Sequence, residues 1–206
     1  MMLTPVQAFA PYATSVIGMD ISLGMVNVYN HRASDQGLSP SEMKAIQGDL
    51  FATPESEEID KPELWDFDLV AVGLAFHHFD DEVLAAKRLV KRVKKGTGKV
   101  LIIDFLPHEH IGGRGHSHGH HHQHGRDHSQ ETRESKKTFV IPKEHAEKAA
   151  HTVKYMGFSE ERMKEIFEDA GCVDVKIDIL GTGITTGLDG SKLDRTVFLC
   201  VATRKE

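Results

Sequence analysis

Short apolar runs and amphipathic stretches alternate along most of the chain, and that alternation predicts its elements. Val16–Asp20 is a short, largely apolar run that reads as a strand. Ser22 can cap a helix running to about Ala33, with Met25, Val26 and Tyr29 on its apolar side. Gly37 to Ser41 reads as a loop, and Lys44–Asp49 as a second short strand. Phe67–Ala75 is a longer, nearly continuous apolar run, the pattern of a strand covered on both faces. Asp80 and Asp81 then open a helix, since acidic side chains favour the positive end of the helix dipole. Val83, Ala86, Val90 and Val93 recur at helical spacing, and Gly96 can close that helix in a left-handed conformation. Lys99–Phe105 is a further apolar strand. Ser159 caps a helix with the stripe Met163, Ile166, Phe167 and Ala170, ended by Gly171. Val173–Leu180 and Thr196–Thr203 alternate as strands across a Gly- and Thr-rich connection. Together these predict an α/β fold: an open, mostly parallel sheet with helices on both faces and a terminal antiparallel strand pair.

In open sheets of this kind, ligands bind outside the carboxyl ends of the strands. The residues just past each strand are therefore the candidates for chemistry. Asp20 ends the first strand, where a carboxylate can accept hydrogen bonds from both hydroxyls of a ribose. Asp49 ends the next, in Gly48-Asp49-Leu50, where an acid can accept from an adenine amino group and the following N–H can donate to a ring nitrogen. Each aspartate can equally do no more than cap a turn. Two acids on consecutive strand ends favour the ligand reading over that alternative. His77 and His78 follow the long apolar strand, and either can act as a general base or simply close the turn into the next helix.

Composition narrows the picture. A chain of 206 residues fits one domain, 1–206, better than two. The formal net charge of −6 gives no signal for a nucleic-acid partner. Cys172 and Cys200 lie far apart and read as small buried hydrophobes in a reducing compartment. With no signal-peptide pattern and no membrane-length apolar run, the expected location is cytoplasmic. One segment stands apart, an insertion at about 107–137. It holds nine of the 14 histidines between His108 and His128, mixed with Gly, Ser and Arg. Such a stretch has little apolar area to bury, so disorder is expected, with incidental affinity for divalent metals.

Several of these segments resemble class I S-adenosylmethionine (SAM)-dependent methyltransferases. Val16-Ile17-Gly18-Met19-Asp20-Ile21-Ser22 is similar to the family's second strand and its acidic end. Phe67-Asp68-Leu69-Val70 through His77-His78-Phe79-Asp80-Asp81 resembles the fourth strand and the loop after it. Leu89–Asp104 is similar to the next helix and strand, with Lys95 where the family usually has proline. Ser159–Gly171 resembles the late helix. The resemblance implies a Rossmann-like domain that uses SAM to methylate a small-molecule acceptor. It implies that Asp20 holds the ribose, Ile21 packs on the adenine face, and Asp49 with Leu50 reads the adenine edge. Gly73, Leu74 and Ala75 would line the floor near the methionine portion, with His77 and His78 at the substrate entrance.

The sequence departs from the family at its start. There is no Gly-x-Gly-x-Gly turn, and Met1–Ala13 is similar to the end of the helix that follows that turn. Truncation, a partner chain supplying the missing part, and loss of cofactor binding are all consistent with this, and weak SAM affinity is the expectation. A second function follows from that last case: a catalytically inactive methyltransferase-like domain used for interaction or metal buffering through its His-rich loop. A third reading, an NAD-dependent dehydrogenase, shares the acidic strand end but not the His-His-x-x-Asp passage.

Overall fold

The computed structural model describes residues 12–52, 54, 56–107, 153–185 and 194–206. Six strands and three helices follow in the order β1 (Val16–Asp20), α1 (Leu23–Asp35), β2 (Met43–Gln47), β3 (Leu69–Gly73), α2 (Glu82–Arg92), β4 (Lys99–Phe105), α3 (Glu160–Asp169), β5 (Cys172–Thr185) and β6 (Asp194–Arg204). Three single-turn 3₁₀ segments lie between them, at Glu57–Ile59, Pro62–Leu64 and Phe76–His78. Most of the His-rich insertion, including all nine histidines, lies outside the described residues.

The strands form two sheets. β1 and β2 pair in parallel, and β3-β4-β6-β5 form a second sheet in that order. In the second sheet β3 and β4 are parallel, while β6 runs antiparallel to both β4 and β5. The terminal antiparallel pair is thus as expected, but the single sheet is in two pieces among the described residues. β1 pairs with no described strand except β2, and β3 with none except β4.

Local chemistry explains the helices. The Ser22 hydroxyl accepts from the N–H of Met25 and caps α1, which buries Val26, Tyr29 and Ala33. Asp81 caps α2 by accepting from the N–H of Leu84 at 2.8 Å, and Ser159 caps α3 by accepting from Arg162. Each cap satisfies an N–H that the helix cannot bond internally. Gly171 follows α3 at φ 93, where a side chain would be strained. Gly96 does not close α2, which already ends at Arg92 with Val93 extended; Gly96 turns the chain into β4 instead.

The main core gathers Val72, Phe76, Leu89, Val90, Ile102, Met163, Phe167 and Phe198 from α2, α3, the Phe76–His78 turn and three strands of the larger sheet. A smaller cluster holds α1 on β1 and β2 through Val26, Tyr29, Ala33, Met43 and Ala45. The expectation that the Phe67–Ala75 strand is covered on both faces is corrected. Val70 and Val72 face the core, but Leu69 and Ala71 are exposed. A continuous apolar run is compatible with two-sided burial without requiring it.

Two arginines on α2 are buried, which its hydrophobic pattern gives no hint of. Arg88 Nη1 donates to the carbonyls of Leu50 (2.7 Å) and Ala52 (2.9 Å). Arg92 Nη1 donates to Ile59 O at 2.6 Å, and its guanidinium lies 3.9 Å over the Trp65 ring. These contacts fasten the segment after β2 to α2 and join the two sheets. Both cysteines are free and buried, as expected, and burial pushes their thiols up, Cys172 to about 11 and Cys200 to about 12.

Candidate functional site

The sequence-predicted residues lie at the ends of β1 and β3 and on the loops after β1, β2 and β3; β2 ends at Gln47, so Asp49 stands two residues past the strand that the sequence predicts it to end. Asp20 ends β1, in register with Gln47 of β2. Its Oδ1 accepts from the N–H of Ser22 at 2.9 Å, so it does cap the turn into α1. Its other oxygen, Oδ2, is buried and has no hydrogen-bond partner among the described residues. A buried carboxylate oxygen without a donor is costly. Two ribose hydroxyls would supply that donor, so the residue present fits a nucleoside. Ile21 beside it is 70 % exposed, an apolar surface available to a flat ring.

The Gly48 N–H donates to the carbonyl of Asp20 at 3.1 Å and brings the two strand ends together. A Cβ at Gly48 would lie 2.5 Å from the Ile59 side chain, so glycine lets the Glu57–Ile59 turn close against it. The exposed Asp49 accepts from the N–H of Phe51 at 2.8 Å, a turn-capping bond. The Phe51 ring packs against Phe79 with centroids 4.3 Å apart, which ties the loop after β2 to the loop after β3.

At the end of β3, Leu74 has φ 51 and is exposed, while its N–H donates to the Ile103 carbonyl of β4 at 2.7 Å. A bulky residue in the left-handed region is uncommon and collects at functional turns. Gly73 is half-buried and Ala75 is buried in the main core. The two histidines separate. His77 is buried, with Nδ1 2.7 Å from Asp104 Oδ1 at the end of β4. His78 is half-buried and packs on His77 with ring centroids 4.2 Å apart.

Asp104 is the site residue that the strand-end rule missed. It is the penultimate residue of the apolar strand β4, close to where Asp20 stands on β1, and the same signal could have singled it out. Both of its oxygens accept backbone N–H bonds, Oδ2 from His77 (3.1 Å) and Oδ1 from Phe105 (2.8 Å).

The chain reaches this edge a second time through residues 153–158. The N–H groups of Lys154 and Tyr155 donate to the His77 carbonyl at 3.0 and 3.2 Å. Gly157 has φ 104, and a Cβ there would lie 2.4 Å from the Leu106 carbonyl oxygen, so only glycine passes. The Tyr155 hydroxyl donates to Glu82, whose carboxylate also pairs with Arg162 at 2.8 Å. Burial works to raise the Glu82 carboxyl, but the bonds from Arg162 and Tyr155 outweigh it and hold it below the usual range. The same bond to Glu82 pushes Tyr155 up to about 12.

The signs give this clamp a pH window. The lowered Glu82 stabilises the fold above its unfolded value, and that contribution is lost as pH falls through the folded one. The raised Tyr155 stabilises below pH 10.0, and its contribution is lost as pH rises through about 12. An ultraviolet tyrosinate titration of the wild type minus Tyr155→Phe should therefore show a midpoint near 12. A midpoint at 10 would mean that the Tyr155–Glu82 bond is absent in solution.

Parallel strand pairs with a terminal antiparallel pair define a Rossmann-like α/β fold, in which ligands bind at the carboxyl ends of the strands. Residues 4–102 match the family described as the methyltransferase domain. Over these residues the chain is similar to methyltransferase domains. An uncharacterised methyltransferase of Schizosaccharomyces pombe is 29 % identical over 100 residues, which are 48 % of this chain and 34 % of that protein. The chain thus spans about a third of the length of that curated relative. Among solved structures, the YcgJ protein of Bacillus subtilis matches with a TM-score of 0.56 and 14 % identity, covering 97 % of this chain and 86 % of that one. Phosphoethanolamine N-methyltransferase 2 of Haemonchus contortus, in complex with S-adenosyl-L-methionine, matches with a TM-score of 0.57 and 14 % identity, covering 97 % and 45 %. At these identities the structures establish the fold. Among the described residues no helix is long and apolar enough to cross a membrane, and no three side chains are grouped to hold a metal ion.

Proposed function

We propose that the protein transfers a methyl group from S-adenosylmethionine to a small-molecule acceptor. The observation that carries this reading is the buried, unpartnered Asp20 Oδ2 at the end of β1, beside the exposed Ile21. Asp20 would accept from the ribose hydroxyls, and Ile21 would cover one face of the adenine. Asp49 and the backbone of Leu50 would meet the adenine edge, with Arg88 holding the Leu50 and Ala52 carbonyls in place. Gly73, Leu74 and Ala75 would border the methionine portion, chiefly through backbone where Ala75 is buried. The cofactor, when bound, supplies a methyl group on a sulfonium. The chain's contribution is to align it with the acceptor and exclude water, and alignment alone is worth many orders of magnitude in rate.

The reading is tested with the purified protein at its natural length and SAM labelled in the methyl group. Label should move into the small-molecule fraction of a cell extract, and S-adenosylhomocysteine should bind in a calorimetric titration. Absence of both results removes the assignment.

A further inference from the structure

We propose that His77 and Asp104 form a proton-accepting pair at the end of β3 and β4, and that the acceptor reacts through an oxygen or nitrogen that carries a proton. The proposal rests on the methyltransferase reading and deepens it by naming the acceptor's chemistry. The geometry begins with Asp104, which is 0 % exposed and fixed by two backbone N–H bonds. The carboxylate of a residue so held cannot rotate away from the imidazole 2.7 Å from its Oδ1. A carboxylate only accepts, so that contact places a proton on Nδ1, and in the neutral ring the lone pair is then on Nε2. Among the described residues the ring's hydrogen bond is the one from Nδ1 to Asp104.

The ring is held on its other sides as well. His78 lies 4.2 Å and Phe105 5.6 Å from it, centroid to centroid. Its backbone carbonyl is taken by Lys154 and Tyr155. The pair meets solvent only through the 9 % of the His77 side chain that remains exposed. A turn that merely led into α2 would need none of this, because Asp81 already caps that helix. A histidine with one nitrogen bonded to a buried acid and the other without a bond among the described residues has the tautomer a general base needs.

The step balances. The acceptor's O–H or N–H proton passes to Nε2 while the acceptor's electron pair forms the new bond to the methyl carbon. The carbon–sulfur bond breaks with its pair remaining on sulfur. The imidazolium, with its Nδ1–H still on Asp104, then returns the proton to water. His77 is the catalytic residue of the step, and Asp104 is a positioning residue that acts through it.

Two measurements on the full chain decide the matter. With ¹⁵N-labelled histidine, the signals lost in His77→Gln identify His77, and in the wild type they should show Nδ1 protonated and Nε2 bare. An Nε2–H tautomer, or a ring averaging between both, overturns the pair without the need for any active variant. With ¹³C-methyl SAM, the product should carry its methyl on oxygen or nitrogen. His77→Gln should then lower kcat by ~10² or more with KM for SAM nearly unchanged. Asp104→Asn, if folded, should lower kcat in the same direction. A carbon-methylated product, or full kcat in His77→Gln, overturns the proposal. Failure of S-adenosylhomocysteine to bind would instead sink the methyltransferase reading, and the tautomer measurement would still report on the pair.

Discussion

Asp20→Ala should lower affinity for S-adenosylhomocysteine by about a hundredfold, or close to 3 kcal/mol, while moving the unfolding midpoint very little. The two halves of that expectation come from the two oxygens. Oδ1 caps the turn into α1 through Ser22, and loss of such a cap costs about 1 kcal/mol. Oδ2 is buried with no partner, so its removal relieves a desolvation cost in the free protein. The two terms oppose each other in stability. In the complex they do not, because hydrogen bonds from ribose hydroxyls to a carboxylate are charge-assisted and worth ~1.5–3 kcal/mol each. Asp20→Asn keeps the turn and one acceptor, so it should lose less affinity than alanine. Calorimetric titration of the three proteins gives the order. Equal affinity in wild type and Asp20→Ala would show that Asp20 is only a cap.

How far the sequence foretells this site depends on whether a role is local. The caps at Ser22, Asp81 and Ser159 are legible because donor and acceptor lie three residues apart. The strand β4 is legible to the residue, since a mainly apolar run bounded by Gly98 and Pro107 leaves little choice. The ends of the strands point to Asp20 and Asp49 for the same reason. What stays hidden depends on pairs distant in sequence. Arg88 and Arg92, at helical spacing among lysines, look like a solvated face. They are buried because backbone carbonyls some 28 to 38 residues away turn toward them. Nothing in the local pattern around Asp104 announces His77, 27 residues earlier. The parallel pairing of β3 with β4 puts Gly73 beside Ile103 and so brings the turn after one strand against the end of the other. Tyr155 and Glu82 are likewise 73 residues apart. The chain's composition says nothing about such pairs. Topology creates them, and the strand-end rule is useful because it says where topology will do so.

Phe76→Ala should destabilise the protein by about 3–5 kcal/mol, the range for deleting a fully buried phenylalanine. Phe76 is 0 % exposed and lies in the one-turn segment between β3 and α2, immediately before His77. Its ring meets Phe158 at 5.3 Å, Phe79 at 5.6 Å and Phe167 at 6.1 Å. Phe79 in turn meets Phe51, and Phe158 meets Tyr155. One ring therefore links the loop after β2, the loop after β3, the 153–158 segment and α3. Removing it opens a cavity among groups fastened by backbone bonds, so collapse is limited and the cost falls in the upper part of the range. Phe76→Leu, which refills most of the volume, should cost less than half as much. Urea unfolding followed by circular dichroism gives both midpoints. An alanine variant within about 1 kcal/mol of wild type would mean that the aromatic cluster is loose in solution. The same variant bears on function, because His77 can hold its tautomer only while the turn that carries it stays packed. The His77 ring should lose its single protonation pattern in Phe76→Ala under conditions where most of the protein is still folded. A destabilised variant that keeps the wild-type pattern would show that Asp104 alone, and not the packing beneath the turn, orients the histidine.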